Sequence, residues 1–250
     1  VQPTLVMRTS SRAAWTGARL IGEDLHELGI NVDCLPVADI SFPETHEVIG
    51  DRAYGDTAEQ VIELAASASE GLMQAGVLPV LKHIPGHGRA TVDSHMELPL
   101  VKTSRTELEL TDFAAFAGLH HLPMAMTAHV IYTSIDPDNP ATTSRIVIDE
   151  VIRGDIGFDG LLMSDDLSMK ALSGRFGERT AAALDAGCDI ALHCNGDMEE
   201  MRAVAAGARV LSGDAAERAD RALDRAGRIA CDTGALREAF AALTGYGMPS

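Results

Sequence analysis

The chain has 250 residues, 46% of them hydrophobic and 23% charged, ordinary globular proportions that exclude wholesale disorder and suit one large α/β domain. Its 37 acidic and 20 basic side chains leave a formal charge of −17, a field that repels nucleic acid and anionic membranes, so neither is expected as a partner. No apolar run approaches the ~18 residues of a membrane span, the opening VQPTLVMRTSSR has no apolar segment behind a basic start, and the four cysteines show no CxxC, so a cytoplasmic protein with free thiols is expected.

Trp15, Leu20, Ile21, Leu25 and Leu28 predict a helix over 11–28 that stops at Gly29, and INVDCLPVADI then reads as a buried strand from about 32. Thr57 and Gln60 form a capping pair for a helix whose Val61, Leu64, Ala65, Ala68 and Leu72 share one face. That helix ends near Gly76, ahead of the strand VLPVLKH. Ser104 and Glu107 repeat the capping signature before a helix to about His120, and the strand PMAMTAHV follows. A helix over 146–153 precedes FDGLLMSDD, and one over 179–186 ends at Gly187 before CDIALHCN. Beyond Asn195, helices rich in Ala, Arg and Asp are predicted over about 198–211, 214–230 and 234–244.

Strands starting near 32, 77, 124, 160 and 188 thus alternate with helices, the pattern of parallel strands joined by crossover helices. Asp39, Lys82, His83, His129, Asp165, Asp166 and Asn195 collect at the C-terminal strand ends, where doubly wound sheets and (β/α)8 barrels both place their sites. No GxGxxG or Walker-type loop follows a strand, which favours the (β/α)8 TIM-barrel type, with about five of its eight strand–helix units recognisable. No linker or low-complexity tract divides the chain. Residues 1–250 are therefore read as a single domain, with about 198–250 as its C-terminal helices.

The densest chemistry lies in KHIPGHGRATVDSH, residues 82–95. His83 and His87 stand four apart, a metal-ligand spacing on a helix, but Pro85, Gly86 and Gly88 argue for a loop. Asp93 beside His95 is able to fix an imidazole tautomer and favour its charged form, as a proton donor to a leaving alkoxide requires; the alternative is an Asx turn with His95 in solvent. In LLMSDDLSMK an apolar strand delivers Asp165 and Asp166, one of which suits a nucleophile, a general base or a metal ligand, while the other caps or turns the chain. Arg52 in GDRAYG is either a substrate clamp or an ion-pair residue, and His129 is either a pocket residue or a satisfied core histidine.

KHIPGHGRATVDSH resembles the signature of the β-N-acetylglucosaminidases of glycoside hydrolase family 3. SDDLSM, GDRAYG and TAHVIY resemble that family's nucleophile strand and flanking loops, in the right order. The likeness runs from about Trp15 to Asn195 and is greatest to the bacterial peptidoglycan-recycling members. It implies a retaining mechanism: Asp165 as nucleophile, His95 as acid/base oriented by Asp93, and Arg52, Lys82, His83 and His129 around the sugar. It implies no metal or organic cofactor, and as partner a small carbohydrate, N-acetylglucosamine joined to an anhydro-muramyl sugar with or without peptide. Family members open with three further strand–helix units that include a DQEGG segment. On this likeness the domain is N-terminally truncated, and self-association through the open barrel edge is expected. Two other readings stand beside this one: an inactive fragment or sugar-binding remnant, and a metal-dependent hydrolase using His83, His87, Asp165 and Asp166.

Overall fold

The computed structural model describes residues 6–47, 49–92 and 97–245. Helix α1 (Ser11–Glu27) starts where the Ser10 hydroxyl accepts the Ala13 amide, and α2 (Ala58–Gln74) starts where the Thr57 hydroxyl accepts the Gln60 amide, as the capping pair predicts. The short strand β1 (Val32–Asp33) lies between them, followed by a single 3-10 turn at Gly50–Arg52. Strand β2 (Leu78–Ile84) leaves α2, and the chain continues through β3 (Leu100–Val101), α3 (Arg105–Leu110), α4 (Asp112–Ala117), β4 (Met124–Thr127) and β5 (Ile131–Tyr132). A π-helical segment (Val147–Asp155) leads to β6 (Leu161–Asp166), α5 (Phe176–Ala186) and β7 (Ile190–Leu192). Helices α6 (Met198–Gly207), α7 (Asp214–Leu223) and α8 (Thr233–Thr244) complete the described chain.

Strands β1, β2, β4, β6 and β7 form one sheet in that order, every pairing parallel. Each step along the sheet is made through helices, so the arrangement is of the (β/α)8 type, with five parallel strands of the barrel formed by the described residues. Period-2 alternation splits the strand side chains between two cores. Leu78, Val80, Met124, Met126, Leu161 and Met163 form an inner cluster with Val32, Cys34, Ile190 and Leu192 at its margins. Leu81, Ile84, Ala125 and Leu162 face the other way, into the larger core shared with α1, α2 and the later helices. The strands begin within one or two residues of their predicted starts. The paired two-residue strands β3 and β5 had no sequence signal.

Two helices depart furthest from the predicted pattern, and the one expected over about 198–211 also stops early, at Gly207. The helix expected from 104 to about 120 is broken at Thr111 into α3 and α4, and Arg89 from the loop after β2 binds there, with Asp112 at 2.7 Å and Thr111 at 3.1 Å. The helix expected over 214–230 stops at Leu223, because the following segment is drawn onto α1 and α2. Ile229 donates to the Gln74 carbonyl, Arg228 pairs with Glu23 at 2.7 Å, and the buried Arg19 donates to the Ile229 carbonyl. On its way α7 lays Ala219 and Ala222 over the inner cluster, next to Ala226.

Candidate active site

Strand alternation carries the apolar stripe into charge. After Leu78 and Val80 the next residue on that face of β2 is Lys82; after Leu161 and Met163 the next on β6 is Asp165. The pairing slips between Lys82 and Ile84 and again between Met163 and Asp166, so both strands lose regular geometry where the polar residues begin. Asp165 is 9% exposed, and its Oδ1 accepts the Asp166 amide at 2.8 Å. Burial alone would raise its carboxyl, but His83, His129, the Asp166 amide and Lys82 together hold it below the usual carboxylate value. His129 is itself pushed down by burial. Burial also lowers Lys82, with Arg52 acting in the same direction, while Asp165 and Asp33 oppose it. Asp165 is thus an ionised, nearly dry carboxylate at the end of a barrel strand.

Within electrostatic reach of it stands a buried carboxylate–imidazole pair. Asp39, with no exposure, lies 2.6 Å from His83 Nδ1 and also accepts the backbone amides of His83 at 3.3 Å and His87 at 2.6 Å. Burial would raise Asp39, yet the two histidines hold it below its ordinary value. The His83 and His87 rings are 5.6 Å apart, and burial with the neighbouring His83 pushes His87 down to about 4. The loop that carries His87 is seated by close contact. A Cβ on Gly88 would sit 1.9 Å from the Ile40 carbonyl oxygen, so only glycine fits there. Tyr132 Oη donates to the Gly86 carbonyl, and the Arg89 guanidinium lies 4.2 Å over the Phe42 ring.

The two adjacent aspartates are placed differently. Asp166 Oδ1 accepts the amides of Ser168 at 3.0 Å and Cys194 at 3.1 Å, which makes it the tie between the loops after β6 and β7. Ser164 Oγ accepts the Leu192 amide at 2.9 Å and ties the strands themselves. His129 is fully buried. Its Nε2 donates to the Asp166 carbonyl at 3.0 Å and its Nδ1 meets Thr142 Oγ1 at 2.7 Å. Both ring nitrogens of His129 thus have partners.

Of the other expected residues, Arg52 closes the 3-10 turn after β1 and lies within electrostatic reach of Lys82. Asp93 and His95 fall outside the described residues. Asp39 was visible as a strand-end acid, but its role was not, since its partner lies 44 residues away. Among the described residues no three His, Cys, Asp or Glu side chains are grouped to hold a metal ion. A cavity of about 480 Å³ opens at the other end of the sheet, lined by residues that precede β4 and β6 and by Arg218, Arg221 and Arg225 of α7 and its extension. Carbonyls and Asp159 or Asp189 already hold those guanidinium groups.

A parallel barrel sheet with an ionised carboxylate and a carboxylate-bound imidazole at its C-terminal end puts the polar centre where (β/α)8 domains carry their sites. Residues 4–229 match the glycosyl hydrolase family 3 N terminal domain, and the chain belongs to that family. It is 44% identical over 181 residues to a beta-hexosaminidase of Tolumonas auensis, a stretch covering 70% of this chain and 53% of the relative. Among solved structures it is similar to NagZ from Neisseria gonorrhoeae, with a TM-score of 0.82 and 30% identity over all of this chain and 76% of that one. The same protein in complex with N-trifluoroacetyl-D-glucosamine gives a TM-score of 0.80 and 29% identity, over 98% of this chain and 74% of that one. The chain spans about half the length of the first two curated relatives it matches.

Proposed function

We propose that the chain acts as a retaining exo-glycosidase that releases terminal N-acetyl-β-D-glucosamine from peptidoglycan fragments in the cytoplasm. Its substrate is N-acetylglucosamine β-1,4-linked to an anhydro-muramyl sugar, with or without peptide. The observation that carries the reading is Asp165: ionised, shielded and at a strand end, in a chain of this family. The carboxylate attacks the anomeric carbon while the bond to the leaving oxygen breaks, and that oxygen takes a proton from His95, oriented by Asp93. Water then gives a proton to His95 and attacks the same carbon, and Asp165 departs as the free carboxylate. Arg52, Lys82 and His83 hydrogen-bond the terminal sugar, and His129 lines the pocket, with its Nε2 on the Asp166 carbonyl behind the nucleophile. The sugar-analogue complex of the gonococcal relative supports a glucosamine-type ligand.

The test is hydrolysis of 4-nitrophenyl N-acetyl-β-D-glucosaminide by the purified chain, beside Asp165→Ala and with and without a chelator. Turnover that vanishes with the variant and ignores the chelator is expected. Turnover that survives Asp165→Ala sinks the assignment of the nucleophile, and loss with the chelator points to metal chemistry instead.

A further inference from the structure

Two histidines of this centre each face an acceptor that has no proton to give. His129 Nε2 is 3.0 Å from the Asp166 carbonyl oxygen, so in that ring the proton sits on Nε2. His83 Nδ1 is 2.6 Å from the Asp39 carboxylate, so in that ring the proton sits on Nδ1. The fold therefore sets the two rings in opposite tautomers. Asp39 cannot turn away from this task, because the amides of His83 and His87 occupy its remaining acceptor positions inside a fully buried site. With Nδ1 committed, Nε2 is the one polar atom the His83 ring has left.

We infer that Asp39 is a positioning residue of the sugar site: it holds His83 as the Nδ1–H tautomer, so that Nε2 accepts a hydrogen bond from a hydroxyl of the bound sugar. The inference rests on the sugar-site reading above and deepens it. Lys82, the neighbouring residue, offers only donors. A hydroxyl is the group that gives a proton to one partner and accepts from another, whereas an ether or carbonyl oxygen only accepts. An asparagine at 39 keeps the shape but presents one acceptor and one NH2 group. That NH2 group faces either the His87 amide or His83 Nδ1. In the second case the His83 proton moves to Nε2 and turns the acceptor into a donor.

The experiment has two arms on the full chain. In the first, the ring nitrogens of 13C,15N-labelled protein are read at pH about 8, above the ordinary histidine range, with His83 assigned by through-bond correlation of its ring to its backbone. Nδ1 is expected to be protonated and Nε2 bare; a bare Nδ1, or a proton on Nε2, overturns the inference without any variant having to fold. In the second, N-acetyl-D-glucosamine is titrated into the wild type and Asp39→Asn. The folded variant is expected to bind roughly tenfold more weakly and to show the changed His83 tautomer. Equal affinity in both overturns the inference while the sugar site stands. A wild type that does not bind the sugar overturns the sugar-site reading, and the first arm still decides the tautomer.

Discussion

Asp165 and Asp166 leave the same strand with the same side chain, yet their surroundings divide the work between them. Asp166 spends its oxygens on Ser168 and the Cys194 amide, whereas Asp165 accepts one amide and keeps the rest of its carboxylate toward His83 and Lys82. Asp166→Asn is therefore expected to lower stability by about 1–2 kcal/mol through its lost acceptor, and Asp165→Asn to lower turnover at least ~100-fold. Urea denaturation beside a turnover assay separates the two. An Asp165→Asn protein that turns over normally contradicts the division. His95→Ala is expected to slow substrates with poor leaving groups far more than aryl glycosides, because the latter need little protonation. Equal losses on both remove His95 from the acid role. The strand-end position of Asp165 was legible from the alternation Leu161, Met163, Asp165. The pairing of Asp39 with His83 was not, because it joins two strands that local sequence treats as independent.

Between β2 and β4 the chain departs furthest from its local preferences. A continuous helical pattern runs from Ser104 to about His120, and its helix nevertheless breaks where Arg89 reaches Asp112, Thr111 and Glu107. Asp112 is 2% exposed, and burial pushes its carboxyl up even with Arg89 against it. This contact anchors the loop that carries His87 to the helix pair on the outer face. Arg89→Ala strands a buried acid and is expected to cost about 3 kcal/mol, measured by urea denaturation. The Arg89→Ala/Asp112→Ala double variant should recover part of that loss. A loss below 1 kcal/mol, or a double variant no better than the single, refutes the anchoring role. Periodicity misses only the break, since a pattern of apolar residues holds no information about a guanidinium arriving from another loop. The same holds for the helix after Gly213, which stops where Arg19 and Glu23 capture the segment that follows.

At the scale of the whole molecule, β1 and β7 are each hydrogen-bonded along one side only among the described residues, and the inner apolar cluster thins toward both. The parallel order was legible from alternation, but the seating of α7 over that cluster was not, since its alanines hardly differ from those of a solvated helix. Self-association through the edges competes with a charge of −17, which salt screens over ~8 Å at physiological strength. Sedimentation at micromolar concentration is expected to show association that grows with salt; a monomer at every salt concentration rejects it. Acid acts on the same centre that holds the candidate site. His87 lies at about 4 in the folded chain against an ordinary 6.5, and burial lowers His129 as well, so between those values the unfolded chain binds protons that the folded chain refuses. Stability therefore rises with pH across that window and is lost as pH falls through it. Asp39 and Asp165, held below 3.8, add stability that is present at neutral pH and disappears only at lower pH still. His87 alone accounts for roughly 3 kcal/mol of the loss when pH falls from about 7 to about 4. Urea denaturation across that range should show the decline in the wild type and a markedly shallower one in His87→Gln, whose side chain has no proton to take up. Parallel declines in the two proteins would place the acid sensitivity elsewhere.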